Sequence, residues 1–362
     1  MAPFLAVFLD GKGFSSLEIG EILAVVTATK VVGPTIWAML SDKTGEQVSI
    51  VRLGAVLSTI SFGVLFFVDG YWPITLFLAI FSLFWNAILP QIEVLTLLSI
   101  RKSPKIYARI RLWGSIGFIV LAVVSGELIA IFDSNVYLPI GFLVLVGLIF
   151  SSYQISQPKS IKRVTSSASI FEKIFDYRFI LFFISGLLLQ ASFGPYNGFF
   201  ALYLRDLAYP SYAVGLLISV GVVAEILVFI YAGKFFQVFT IKALLVFSVG
   251  ISALRWYITA EWGDVALLMV ACQLMHAFSF GLYHSASMQF IQSHFNVNQQ
   301  NRGQALYIGG VFGIGGALGA YLTGVIWQAG GDGAQTFYYA SAAAVVALIF
   351  MLVLPNKQYQ TN

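Results

Sequence analysis

Charge is scarce in this sequence of 362 residues: Asp, Glu, Lys and Arg make up 10% of it, whereas 59% is hydrophobic. A soluble domain of this size carries about 25% charge and about 45–50% apolar residues. The chain has too little polar surface to coat itself for water, but it suits lipid, where the exterior must be apolar. One cysteine is present, Cys272, inside an apolar run. That excludes a disulfide framework and any cysteine-based metal centre, and leaves a small buried hydrophobe as its reading. Of the three histidines, His276 and His284 would stand roughly 12 Å apart along a helix, too far to share an ion. No metal site and no cofactor is expected. No basic segment precedes the first apolar run, so the pattern of a signal peptide is missing too.

What is present is a series of apolar stretches of about 17–25 residues, the length that crosses a hydrocarbon core of about 30 Å. They predict helices near 17–40, 50–68, 73–99, 112–132, 136–153, 178–204, 212–233, 242–259, 265–291, 304–328 and 335–355, with residues 2–10 as the tail of one more. Helices are the sensible form, because open edges and loops cannot face lipid. The 16% aromatic content fits membrane interfaces, where Trp and Tyr gather.

Basic residues alternate from loop to loop. One set of loops holds Lys43, Arg52, Arg101, Lys102, Lys105, Arg109, Arg111, Lys159, Lys162, Arg163, Lys173, Arg178, Lys234, Lys242, Arg302 and Lys357. The other set holds Lys12, Arg205 and Arg255, and Lys30 stays inside a helix. By the positive-inside rule the first set is cytoplasmic. The net charge of +4 is therefore topological, and nucleic acid is not an expected partner. The longest loop, 154–177, contains Pro158, Ser166, Ser167 and Ser169 and reads as a polar linker. It separates an N-terminal half, 1–153, from a C-terminal half, 178–362.

The halves echo one another. Ala2-Pro3, Phe8-Leu9 and Gly20 recur as Gly194-Pro195, Tyr203-Leu204 and Gly215, and Leu112-Trp113 recurs as Leu306-Tyr307, about 192–195 residues on. Gly194-Pro195 lies about 16 residues into its helix and Ala2-Pro3 lies at the chain start. The first helix is thus expected to lack most of its cytoplasmic half, through a mis-assigned start or a shortened chain. In the complete protein both termini are expected in the cytoplasm.

Between the second and third helices, Ala38, Asp42, Lys43, Gly45, Glu46 and Gln47 stand in a segment that resembles the major facilitator signature G-x-x-x-D-(R/K)-x-G-(R/K)-(R/K). Asp42, Lys43 and Gly45 match; Ala38, Glu46 and Gln47 depart from it. Tyr107 to Gly117, Leu254-Arg255-Trp256, Gln273 to His284 and Arg302 to Tyr307 are similar to segments of the phenylpropionate permease group within that superfamily. The resemblance covers nearly the whole chain. It implies an all-α membrane protein of two parallel six-helix bundles in a bacterial inner membrane. It also implies a monomeric, proton-coupled carrier of a small organic acid such as 3-phenylpropionate, driven by a proton gradient, with nucleoside and sugar symporters as near neighbours. In the family the Asp42 loop is a conformational latch, a role to which Arg109 and Arg111 also belong. A helix N-terminus of the other half, partly positive, would suit Asp42.

Ionisable groups at membrane depth are costly and mark function by default. Lys30, 13 residues into its helix, is expected either to meet a substrate carboxylate or to pair with another helix. Glu225, equally deep in the eighth helix, is the first choice as proton carrier, because a desolvated carboxylate exchanges its proton nearer neutral pH. A Lys30–Glu225 pair broken by substrate is the rival. Asn86, Pro90, Gln91 and Glu93 share the fourth helix. Pro90 loosens it, and Glu93 either pairs with Arg109 or Arg111 or transfers protons. Gln190, Tyr196 and Asn197 fall near one face of the seventh helix; Gln273, His276 and Phe280 share a face of the tenth. All six are read as cavity-lining, since the first, fourth, seventh and tenth helices line the cavity in the resembling family. His276 either serves substrate and proton or makes a packing hydrogen bond. Gly309, Gly313, Gly315, Gly316 and Gly319 offer close contact and sliding between halves. No clustered catalytic acid, metal-ligand set or nucleotide loop suggests an enzyme.

Overall fold

A computed structural model describes residues 2–99, 104–156 and 170–355. Among them there is no strand. A short 3₁₀ turn, Ala2–Phe4, leads into α1 (Leu5–Gly11). The helices that follow are α2 (Ser16–Thr44), α3 (Gln47–Gly63), α4 (Tyr71–Trp85), α5 (Ile88–Ser99), α6 (Pro104–Phe132) and α7 (Tyr137–Tyr153). After the linker come α8 (Phe171–Ile174), α9 (Tyr177–Ser192), α10 (Phe200–Asp206), α11 (Ser211–Val238) and α12 (Ile241–Glu261). The last are α13 (Ala266–His276), α14 (Tyr283–His294), α15 (Gln300–Tyr307), α16 (Gly316–Gln328) and α17 (Gly333–Val353). Joined end to end where they continue one another, they give 11 spans long and apolar enough to cross a membrane.

Several expected loop residues lie in helices. α6, the fifth span, begins at Pro104, whose fixed φ suits a first turn, so Lys105, Arg109 and Arg111 sit within it. Lys234 and Arg302 likewise fall inside α11 and α15. Arg255, assigned by sequence to a loop, is deep inside α12 and wholly buried. Arg101, Lys102, Pro158, Lys159, Lys162, Arg163, Ser166, Ser167, Ser169 and Lys357 lie outside the described residues, as do the side chains of Asp42 and Arg111.

Local chemistry sets the helix ends. Ser15 and Glu18 form a capping box at the start of α2: the Ser15 N–H donates to the Glu18 carboxylate at 2.8 Å, and the Glu18 N–H donates back to Ser15 Oγ at 3.3 Å. Gly45 ends α2 at φ +71°, a left-handed cap that disfavours a side chain. That conformation accounts for the glycine in the Asp42 loop.

Two seams join the first and second sets of spans, both near the face poor in basic residues. Along one, α2 meets α16: a Cβ on Gly20 would lie 2.8 Å from the Gly324 Cα, and one on Gly316 would lie 3.0 Å from Thr27. Along the other, α6 meets α11: a Cβ on Gly126 would lie 2.7 Å from the Ser211 carbonyl oxygen. Not every glycine near α16 serves such a seam. Gly315 and Gly319 instead face Leu187 and Ala191 of α9, which belongs to the same repeat.

The repeat extends to charge placement. Arg52 of α3 donates to the carbonyls of Ser152, Tyr153 and Ile155 at 3.2–3.5 Å, where α7 ends. Lys242 of α12 donates to the Leu352 carbonyl at 2.9 Å, at the end of α17. These cations, about 190 residues apart, each satisfy a helix C-terminus whose dipole is negative.

Candidate functional site

The spans are irregular where the sequence places its polar residues. Pro34 within α2 cannot donate to the carbonyl four residues back, that of Lys30; Pro90 within α5 likewise frees that of Asn86. The fourth span breaks at Asn86 and Ala87, between α4 and α5. Three spans of the second repeat contain π-helical segments: Pro195–Phe199, Ala277–Leu282 and Ile308–Gly315. The break at Asn86 and the segment at Ala277–Leu282 are about 192 residues apart, at equivalent places in the repeat. Such segments occur often at functional sites because they aim side chains that a regular helix would hide.

Around the Ala277–Leu282 segment the structure assembles a polar cluster in an aromatic shell. Arg255 has no exposed surface. Its Nη1 donates to His276 Nδ1 at 3.1 Å and to Ser279 Oγ at 3.5 Å, and its Nη2 donates to Gln273 Oε1 at 3.5 Å. The Tyr196 hydroxyl donates to the same Gln273 oxygen at 2.9 Å. The guanidinium lies 4.2 Å from the Tyr196 ring centre and 4.3 Å from that of Trp256. Aromatic faces attract a cation, more so where water is excluded. Arg255 Nε has no hydrogen-bond partner, and among the described residues no carboxylate oxygen approaches this arginine within 4.0 Å. A buried charge held only by neutral groups is expensive.

Arginine can only donate, so His276 Nδ1 must accept. The ring hydrogen then sits on Nε2, which points at Glu225 Oε2, 3.8 Å away. Arginine, imidazole and carboxylate thus stand in a row across α12, the tenth span and α11. A contraction of about 1 Å would close the last gap to hydrogen-bond length. Gly281 makes room for the row: a Cβ there would lie 2.9 Å from Glu225 Cγ. Phe280 stacks on His276, ring centres 5.3 Å apart and 7° from parallel, and meets Phe193 edge-on at 5.9 Å.

The sequence-predicted residues divide accordingly. Tyr196, Glu225, Gln273, His276 and Phe280 come together. Gln190 and Asn197 do not join Tyr196: at 100° per residue Tyr196 already stands about 120° from Gln190 and about 100° from Asn197. Gln190 is buried against Gly315, and Asn197 is exposed without a side-chain hydrogen bond among the described residues. Asn86 belongs to a second polar node, donating to Thr29 Oγ1 at 3.0 Å beside the Thr29–Ser82 hydroxyl pair at 2.8 Å. Lys30 is exposed on α2 and has no hydrogen bond or ion pair among the described residues. It shares a strip of α2 with Leu23, seven residues earlier, which reaches Gly198 in the other repeat. Glu93 is half-buried and forms no ion pair with Arg109. Lys43 is exposed.

Sequence reasoning passed over Arg255. The signal was available: a cation inside an apolar span is a functional candidate by cost alone, and the helix expected at 242–259 contains Arg255, but the residue was counted with the loops.

The fold and the row of buried polar groups between apolar spans define a polytopic helical carrier. The chain matches the MFS_1 like family over residues 1–340 and belongs to it. It is 28% identical over 359 residues to the probable 3-phenylpropionic acid transporter of Escherichia coli (strain K12), covering 98% of this chain and 92% of that one. It is 23% identical to the maltose permease of Geobacillus stearothermophilus, covering 98% and 90%. Among solved structures, the nucleoside transporter NupG superimposes with a TM-score of 0.85 at 18% identity, covering 98% and 95%. The protein is a multi-pass major facilitator transporter of a small molecule, and not an enzyme.

Proposed function

We propose that the chain is a proton symporter of a small carboxylate, an aromatic one such as 3-phenylpropionate, working by alternating access in a bacterial inner membrane. The observation that carries this reading is the Arg255–His276–Glu225 row: a buried guanidinium without a carboxylate partner among the described residues, linked through a neutral imidazole to a carboxylate at membrane depth. Protonation of Glu225 would remove the negative end of the row, so a proton gained there changes how α11 and the tenth span attract one another. Lys30, exposed and without a partner among the described residues, is the anchor for the substrate carboxylate. Asn86, Tyr196, Asn197, Gln273 and Phe280 line the route, with Gln190 behind them; Phe280 offers a face to an arene. Glu93 remains a second candidate for proton transfer. An anion entering against an inside-negative potential is opposed by about 2.3 kcal/mol per 100 mV. One accompanying proton removes that cost.

The division at 154–177, the cytoplasmic placing of the basic face, and a monomer acting with Asp42, Lys43, Gly45, Arg109 and Arg111 as latch belong to the same reading. The seams near the opposite face and the exposure of Lys30 fit a state open towards the cytoplasm.

A second reading has its own support. The face poor in basic residues carries Asp10, Asp69, Asp133, Asp206, Glu261, Asp264 and Asp332 against Lys12 and Arg205, a field that repels anions. A neutral nucleoside or sugar would not feel it, and NupG and the maltose permease are similar proteins.

Uptake of labelled 3-phenylpropionate into energised vesicles, with and without a protonophore, tests the proposal. Accumulation that the protonophore abolishes, and that Arg255→Gln loses, supports acid–proton symport. Accumulation of uridine or maltose instead, with none of the acid, overturns it in favour of the second reading.

A further inference from the structure

The face poor in basic residues is crossed by an ion pair that the substrate site does not use. Asp10, in α1, accepts from Arg205 Nη1, in α10, at 2.5 Å, and Arg205 Nη2 lies 3.5 Å from Asp206. Phe8-Leu9-Asp10 and Tyr203-Leu204-Arg205 are the same stretch of the two repeats, about 195 residues apart. Equivalent positions carry opposite charges and meet each other. A contact between equivalent positions lies on the axis that relates the repeats, so its length follows their separation at this face directly.

The pair itself lines a cavity of about 340 Å³, together with Phe4, Val7, Ile129 and Val214. Nearby, the repeats touch through backbone. Cβ atoms on Gly126 and Gly215 would lie 2.7 Å from the Ser211 carbonyl oxygen and 2.6 Å from that of Ala122. Those glycine contacts are van der Waals packing and part under a small rotation. The ion pair adds a directed attraction at this face, where the repeats separate when they rock.

We propose that Asp10 and Arg205 form the latch of this face: the pair holds the repeats together here, and its rupture belongs to the opening step. Exchange of the two charges would preserve the latch, because the positions are equivalent.

The test needs no substrate, so it stands apart from the symport reading. Cys272→Ser removes the native thiol. Phe67→Cys and Tyr212→Cys, exposed near this face in opposite repeats, then carry spin labels for distance measurement by pulsed electron paramagnetic resonance in nanodiscs. With the pair intact, the short distance should dominate. Asp10→Asn and Arg205→Gln should each raise the long-distance share about two- to fivefold, the scale of a partly exposed ion pair. Arg205→Lys should stay closed, separating loss of charge from loss of fold. Asp10→Arg combined with Arg205→Asp should restore the short distance. Unchanged distances in the single variants, or a double variant as open as they are, would overturn the latch.

Discussion

Trp37 donates its indole hydrogen to the main-chain carbonyl of Leu83 at 2.9 Å. The relationship follows from the break in the fourth span. There the N–H of Ala87 turns to Phe84 at 3.1 Å, so it does not serve Leu83. A carbonyl without a partner in a lipid-embedded helix is costly, and α2 supplies the donor. Trp37→Phe keeps the ring but loses the hydrogen. It should lower unfolding stability in detergent by about 1–2 kcal/mol, whereas Trp85→Phe, at an exposed ring nearby, should leave it unchanged.

The row at Glu225 separates coupling from binding. Glu225→Gln cannot cycle a proton, so energised accumulation should vanish while exchange of labelled for unlabelled substrate across the membrane continues. Counterflow in proteoliposomes measures the second quantity. Loss of exchange together with accumulation would assign Glu225 to the fold or to substrate contact instead.

Lys30 decides between charged and neutral substrates. A charge-assisted hydrogen bond contributes about 1.5–3 kcal/mol, so Lys30→Gln should raise the KM for a carboxylate about ten- to a hundredfold. Uptake of an uncharged analogue, such as the corresponding amide, should be unaffected. Equal losses for both would remove Lys30 from carboxylate recognition.

The paired helix caps make a quantitative check on the repeat. Arg52→Ala and Lys242→Ala each remove a cation from a helix C-terminus, at a cost of about 0.3–1 kcal/mol. They sit on different helix pairs and share no partner, so the double variant should lose the sum of the two, measured by unfolding at raised and at low salt. The loss should shrink as salt rises.

The spans, their order and the family were legible in the sequence, because apolar length and loop charge are properties of contiguous residues. The depth of Glu225 and His276 within their spans was legible too, and the structure brings the two side chains near each other. The partnership of Arg255 with them was not, since it needs three helices brought side by side. The common face expected for Gln190, Tyr196 and Asn197 failed on the helical wheel itself, where Tyr196 stands about 120° from Gln190 and about 100° from Asn197. Only Gln190 and Asn197, about 20° apart on that wheel, share a face, and the wider turn at Pro195–Phe199 alters that step too. Lys30 was located at its depth in α2, but the absence of any described partner for it became visible only once its neighbours were placed.

The three π-helical segments also bear on how chain length is tolerated. A π-helical turn arises when one residue more than a regular helix needs is accommodated without disturbing either flank. Removing one residue from Ala277–Leu282 would let the span close into plain α geometry, with His294 and everything after it staying where they are. A deletion in the regular stretch of α12 would instead turn all that follows by about 100° and shift it by about 1.5 Å. Small length differences among sequences of this kind should therefore collect at residues 195–199, 277–282 and 308–315, in the middle of the membrane and away from the loops where insertions and deletions are ordinarily sought.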